Sequence, residues 1–354
     1  ILKSTPNSFK VLISIFALIF LKLSYIKDPW QDELFTRYLI KNDLGEILRI
    51  LQNDNNAPLY YFILHIMSFI TGYNIFALRV FSVFLILLSG IFIKKILQNL
   101  KIKDNQYWIF YLFSIPLYFS SEARSYALII FLSSLLFYEI TGKKRIIPLV
   151  AYSTLLNYTH YFSLTYLSYF LCELILTKNK KNILIIIFIT FLSMPLLFLI
   201  LKQPKNSLLW TDYFLKSYSF GIFFSFFFIF SNVNLYSFNP DIKFFLISLI
   251  GYYILFLSIK EKSLRFLSFP FTFNFISIFL VSYIFKNIYV PLKVEAFFFV
   301  PFFLFFLNFI LRDGKFFLII KNSMIFILIS FFIYNFLAIS KPNSALEEIE
   351  DIIM

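Results

Sequence analysis

The run Phe9-Lys-Val-Leu-Ile-Ser-Ile-Phe-Ala-Leu-Ile-Phe-Leu-Lys-Leu-Ser-Tyr-Ile26, followed at once by Pro29-Trp-Gln-Asp32-Glu33-Leu-Phe-Thr-Arg37-Tyr38, decides how this chain is read. Eighteen residues with cations only at Lys10 and Lys22 cross most of a bilayer as a helix. No small-residue cleavage site follows, so the run reads as a span and not a signal peptide. Two adjacent carboxylates then stand just past its end, at a membrane–water boundary. An enzyme that handles a lipid-linked substrate needs its chemistry there.

Composition sets the class. Of 354 residues, 60% are hydrophobic, 22% aromatic and 14% charged, with mean hydropathy +0.81. One soluble core cannot hide that much apolar surface, so the bilayer is the solvent for most of it. The lone Cys172 excludes an intramolecular disulfide and a Cys-based zinc site. Only His65 and His160 accompany it, which argues against a His/Cys metal cluster. Asp and Glu remain able to hold Mg²⁺ or Mn²⁺, although no ligand spacing demands a metal.

The net charge of +13 does not point to nucleic acid. Its cations fall in small clusters between apolar runs: Lys94-Lys95 with Lys101 and Lys103, Lys143-Lys144-Arg145, Lys178 with Lys180-Lys181, Lys260 with Lys262 and Arg265, and Arg312 with Lys315. That is how cytoplasmic loops of a polytopic protein look.

The expected fold is an all-α polytopic integral membrane protein of about 11 transmembrane helices. Residues 1–354 form one multi-span domain. Spans are expected at 9–26, 74–97, 106–120, 123–140, 146–158, 160–177, 182–201, 243–259, 266–285, 295–311 and 316–339. Residues 57–71 and 220–231 are too short to cross comfortably and would invert the basic clusters if they did. They are expected to be interfacial or re-entrant. Residues 27–73 then form an outer loop with interfacial helices over 32–40 and 44–51. Asn42 or Asp43 is the expected N-cap of the second. Segments 119–124, 157–161, 202–219 and 286–295 share that face with the tail 340–354. The outer segments hold the interesting polar residues, so function is expected on the extracytoplasmic side.

Each cluster there also has a structural explanation. Asp32 and Glu33 suit the first turn of a helix, where carboxylates meet the positive end of the dipole. Asn53-Asp-Asn-Asn56-Ala-Pro58-Leu-Tyr60-Tyr61 suits a turn with Pro opening a helix. In Phe119-Ser-Ser-Glu122-Ala-Arg124-Ser-Tyr126, Glu122 and Arg124 could pair with each other, yet Arg also suits planar contact with phosphate. His160, in Asn157-Tyr-Thr-His160-Tyr161, could donate to a phosphate or a sugar hydroxyl. Lys293, in Tyr289-Val-Pro-Leu-Lys293-Val-Glu295, could clamp a phosphate or snorkel to headgroups.

Their order resembles the bacterial members of the GT-C glycosyltransferase superfamily, relatives of protein O-mannosyltransferases and of the lipid A aminoarabinose transferase. The similarity lies in Trp30-Gln-Asp32-Glu33-Leu-Phe, Asn56-Ala-Pro58-Leu-Tyr60-Tyr61, Phe76-Ala-Leu-Arg79, Ser120-Ser-Glu122-Ala-Arg124-Ser-Tyr126-Ala and Tyr158-Thr-His160-Tyr161. It covers residues 27–161 and continues beyond them by hydropathy alone. Asn56 replaces the family's His, and Lys293-Val-Glu295 stands where an Arg-Tyr pair is usual.

The resemblance implies a membrane transferase moving a sugar from a polyprenyl-phosphate donor to a glycan, lipid or protein acceptor. It would act on the extracytoplasmic face of a bacterial inner membrane. Asp32 would engage the acceptor hydroxyl and Glu33 would steady it. Arg124, Lys293 and His160 would bind the donor phosphate as cations. Glu122, Asn56, Tyr60 and Tyr126 would support them. No organic cofactor is implied. A polysaccharide polymerase or ligase is a related alternative. A transporter or flippase and an inactive scaffold belong to other classes. Few embedded ionisable residues and no two-halves repeat disfavour the transporter.

Overall fold

A computed structural model describes residues 6–54, 56–102, 104–202, 293–311 and 315–339, with isolated helical positions between 249 and 276. The expected spans at 243–259 and 266–285, the segment 220–231 and the tail 340–354 lie essentially outside the described residues. Every regular element described is helical.

The first part runs α1 (Pro6–Ile26), α2 (Gln31–Leu39), α3 (Leu44–Leu51), α4 (Leu59–Thr71) and α5 (Ile75–Asn99). A 3-10 stretch, Asp104–Leu112, leads into α6 (Ser114–Ser120), and α7 (Tyr126–Thr141) and α8 (Ile146–Thr159) follow. A second 3-10 stretch, Tyr161–Tyr166, runs into α9 (Leu167–Thr177) and then α10 (Lys181–Lys202). Beyond the gap come α11 (Lys293–Ile310) and α12 (Lys315–Ile339).

Among the described residues, four helices are long and apolar enough to cross a membrane: residues 75–99, 181–199, 293–310 and 320–339. On α10 and α12, Ile187, Phe188, Phe191, Phe198, Phe326, Ile333 and Leu337 stand exposed. A water-facing surface does not carry such a display, whereas hydrocarbon solvates it. The protein is an α-helical membrane protein.

The core is built on α5, α7 and α11, with α1, α6 and α8 around them. In the apolar window of α11, 89% of residues are buried, so this helix runs through the protein interior. Its Phe299 and Phe303 meet Phe110 and Phe113 edge-on or tilted, with centroids 5.3–5.6 Å apart. Aromatic rings prefer these offset contacts to face-to-face stacking. Tyr166 donates to the Phe297 carbonyl and shares a hydrogen bond with Ser133, fixing α11 against α7.

Several boundaries differ from expectation, for local reasons. The span expected at 106–120 is broken at Phe113, which caps α6 in extended conformation. Pro116 lies three residues on. It lacks the N–H that would bond the Leu112 carbonyl, and its ring would crowd that oxygen, so one α-helix cannot run through. The span expected at 123–140 starts only at Tyr126. The span expected at 160–177 begins as a 3-10 turn because His160 is extended (φ −162°, ψ 137°). Helix α2 starts at Gln31, one residue early. Helix α3 spans the expected residues, and its N-cap is Asp43, which accepts the Glu46 N–H at 2.9 Å. Asn42 instead donates to the Tyr38 and Leu39 carbonyls and closes α2.

The helices have two distinct ends. Asn99, at the end of α5, reaches the Tyr138 carbonyl and the Thr141 hydroxyl at the end of α7 (3.5 and 3.4 Å). Lys144 and Arg145 follow there and pair with Glu173 and Glu139. The opposite end gathers the C-terminus of α1, the starts of α5, α7 and α11, and helix α2. The chain around α4 is held at that same end on both sides. Asn56 before it accepts from Tyr161, and Arg79, in α5 just after it, grips Glu33. The 13 residues of α4 therefore lie along one end of the bundle.

Candidate functional site

The site is built on a lattice of buried ion pairs. Glu33, fully buried in the first turn of α2, faces Arg79 of α5. The guanidinium donates from Nε to Glu33 Oε1 (2.8 Å) and from Nη2 to Oε2 (2.6 Å). Its remaining donors reach the carbonyls of Ser24 (2.9 Å), Lys27 (2.5 Å) and Asp28 (3.1 Å). All five N–H groups are used, in the forked geometry only Arg offers. Glu33 Oε1 also accepts the Ala123 N–H at 2.7 Å. One ion pair thus joins the end of α1, the start of α2, helix α5 and the turn before α7.

A second pair reinforces that joint. Lys27 donates to Glu122 at 2.7 Å and lies over the Tyr118 ring, 4.4 Å from its centroid. The Glu122 carbonyl accepts from Ser82 at 2.6 Å. Glu122 is therefore neutralised from α1. Of the two readings left open for Glu122 and Arg124, a pairing with each other is not the arrangement formed: each has its own partner.

Arg124, freed from Glu122, turns to Asp32. Its Nη2 lies 3.1 Å from Asp32 Oδ2, and Lys293 Nζ from the start of α11 lies 3.2 Å from the same oxygen. The Asp32 side chain keeps a third of its surface, whereas Arg124 is buried and Lys293 keeps about a fifth. Burial pushes the Asp32 carboxyl up, but Arg124 and Lys293 outweigh it and hold the group below the ordinary carboxylate value. Burial likewise opposes the charge on Arg124; Asp32, then Tyr61, Tyr126 and Glu122, together offset it and hold the guanidinium above its ordinary value. Trp30, which caps α2 with its backbone and no side-chain bond, lies under Lys293 at 5.5 Å. Neither carboxylate is spent on capping α2; both pair across the fold.

His160 and Tyr126 form the aromatic wall behind Arg124. The guanidinium stands 6.0 Å from the Tyr126 ring, and His160 packs on Tyr126, Phe162 and Phe297 at 6.0, 5.1 and 4.8 Å. His160 Nδ1 accepts the Phe162 N–H at 3.2 Å. Burial, then Arg124 and Lys293, lower its pKa to about 3. The cationic His160 expected from sequence is corrected: the imidazole is neutral, and with Nδ1 accepting, its proton sits on Nε2. Its chemistry here is hydrogen-bond donation.

The remaining supporting residues divide. Tyr60 and Tyr61, in the first turn of α4, are buried. Asn56 turns its amide and backbone N–H to Asp54 Oδ1 (2.5 and 2.9 Å), and its carbonyl accepts from Tyr161 at 3.3 Å. It shapes the loop before α4. Arg79 and Lys27 carry the scaffold but were not among the candidates. An Arg inside the apolar run 75–93 was the available signal, because a charge there persists only when paired. Among the described residues no group of three or more His, Cys, Asp and Glu converges as a metal site.

No family model matches the chain, and no curated protein or solved structure matches it.

Proposed function

We propose that this protein is a membrane glycosyltransferase that takes a sugar from a polyprenyl-phosphate donor. The observation that carries the reading is the Asp32–Arg124–Lys293 group: a carboxylate still partly accessible, held between two cations at one end of an apolar bundle. Phosphate leaving-group chemistry needs cations fixed where negative charge develops. Arg124 and Lys293 are so fixed, one by burial and one by the start of a buried helix. The acceptor hydroxyl oxygen attacks the anomeric carbon. The bond from that carbon to the phosphate oxygen breaks, and its electron pair leaves with the phosphate onto Arg124 and Lys293. Asp32 accepts the hydroxyl proton. His160 Nε2–H donates to a phosphate or sugar oxygen, and Glu33 anchors α2 so that Asp32 keeps its place. The acceptor is a glycan, lipid or protein hydroxyl, and the residues named supply the chemistry without an organic cofactor.

In the bilayer, the basic end of the bundle faces the cytoplasm and the Asp32 end the opposite side of a bacterial inner membrane, by the charge asymmetry of its loops. About 11 helices cross, and α2–α4 lie in the outer interface.

Membranes carrying the protein should transfer label from radiolabelled polyprenyl-phosphate sugars to an endogenous acceptor and release polyprenyl phosphate. Label that moves across the bilayer with its donor uncleaved would instead identify a flippase. Growth of a polymer on the lipid carrier itself would identify a polymerase.

A further inference from the structure

Asp32 sits where the proposed phosphate would sit. Both cations reach one oxygen, Oδ2, with nearly equal distances of 3.1 and 3.2 Å, as two donors clamp one anionic oxygen. Two neighbouring carboxylates are held elsewhere, Glu33 by Arg79 and Glu122 by Lys27. Asp32 is paired to this cation couple while keeping a third of its side-chain surface.

We propose that Asp32 is a resident anion in the phosphate subsite, so that an incoming lipid phosphate displaces its carboxylate from Arg124 and Lys293. This rests on the reading that those two cations hold the donor phosphate. In the resting state the carboxylate neutralises a buried guanidinium and a part-buried ammonium that would otherwise face each other. When phosphate takes the cations, the displaced carboxylate keeps its partly buried surroundings without its counter-charges. Its proton affinity rises, since burial already pushes in that direction. A carboxylate tied to two cations is a poor base; the same group released by the donor is a better one. Donor binding and activation of the base become one event, and acceptor alone does not trigger it. By reciprocity, whatever strengthens the Asp32 clamp weakens phosphate binding by the same factor.

The test is the affinity of purified protein in nanodiscs for undecaprenyl phosphate at pH 7.5. Wild type is compared with Asp32→Asn, Asp32→Glu, Arg124→Ala and Lys293→Met. Removing the resident charge should tighten binding by on the order of tenfold in Asp32→Asn, while Asp32→Glu stays near wild type and the two cation variants weaken. Weaker binding in Arg124→Ala and Lys293→Met with unchanged or weaker binding in Asp32→Asn overturns the displacement and leaves the phosphate site standing. Unchanged binding in both cation variants removes the phosphate site itself. A wild-type measurement covers the case of a misfolded variant. Dicyclohexylcarbodiimide labels protonated carboxyls, and peptide mass spectrometry reads the yield at Asp32. Undecaprenyl phosphate should raise that yield severalfold if it displaces the carboxylate; protection by the lipid contradicts the displacement.

Discussion

Two neighbouring carboxylates, Asp32 and Glu33, are separated by what reaches them. Glu33 meets Arg79 with every donor satisfied, and Asp32 meets the part-accessible clamp of Arg124 and Lys293. Asp32→Asn should lower transfer on the order of 10²–10⁴-fold, the usual contribution of a general base, and should cost less stability than breaking the fully buried Arg79–Glu33 pair, because Asp32 and Lys293 are partly accessible. Near-normal turnover at matched expression would leave Asp32 as a salt-bridge residue. Arg79→Met should do the reverse: it strands Glu33 and three backbone carbonyls, costing on the order of 3–5 kcal/mol. Thermal unfolding in detergent measures this, and the paired Arg79→Met/Glu33→Leu variant should remain destabilised because those carbonyls still lack their donor. His160 gives a pH signature. Its folded pKa is lowered, so its contribution is complete above its unfolded value of about 6.5 and is lost as pH falls from there toward about 3. The slope stays under about 1.4 kcal/mol per pH unit, because a single imidazole exchanges at most one proton. A thermal-stability profile between pH 4 and 7 should flatten in His160→Gln, and an unchanged profile would contradict the neutral imidazole.

At the scale of elements, the joint between α5 and the 104–112 stretch turns on one missing side chain. A Cβ on Gly90 would stand 2.0 Å from the Tyr111 hydroxyl oxygen and 2.3 Å from its ring. The close approach lets Tyr111, fully buried, donate to the Leu87 carbonyl at 2.8 Å. Gly90→Ala must push the ring away and orphan its hydroxyl, at a cost of about 1–3 kcal/mol from overpacking alone. In a Tyr111→Leu background the same substitution should cost far less. Equal costs in both backgrounds, read as shifts in melting temperature, would mean that the two residues do not meet. The 3-10 stretches belong to the same scale, with Pro116 and the extended His160 setting where α-helix can begin.

Across the whole molecule, the basic residues of the 94–101 and 143–145 segments gather at one end and Asp32, Glu122 and His160 at the other. Single cysteines placed at 101 or 144 in a Cys172→Ser background should be shielded from an impermeant thiol reagent in intact cells, and cysteines at 28 or 161 should react. Labelling at 101 from outside would invert the orientation and move the site to the cytoplasm. The same bundle explains why the ends are chemically unequal. The basic residues at one end pair at helix termini, where Lys144 and Arg145 stay largely accessible. At the other end the Arg79–Glu33 pair is buried and ties four segments together.

Hydropathy and composition alone determined that this chain is a helical membrane protein, because a long apolar run has one way to satisfy its backbone in hydrocarbon. They also placed many helix ends, the short helix 44–51 with Asn42 or Asp43 as its cap, and the residues worth watching, since charges at apolar boundaries persist only when paired or used. Partners were not legible. Spacing left Glu122 with Arg124 as one option, and only the packing of α1 brought Lys27 to Glu122 and left Arg124 for Asp32, 92 residues away. Lys293 lies 261 residues from Asp32, and Arg79 lies 46 from Glu33. Contacts over such separations depend on how helices stack, and local sequence carries no record of that. The protonation of His160 was decided in the same way, by burial and two cations supplied from other helices.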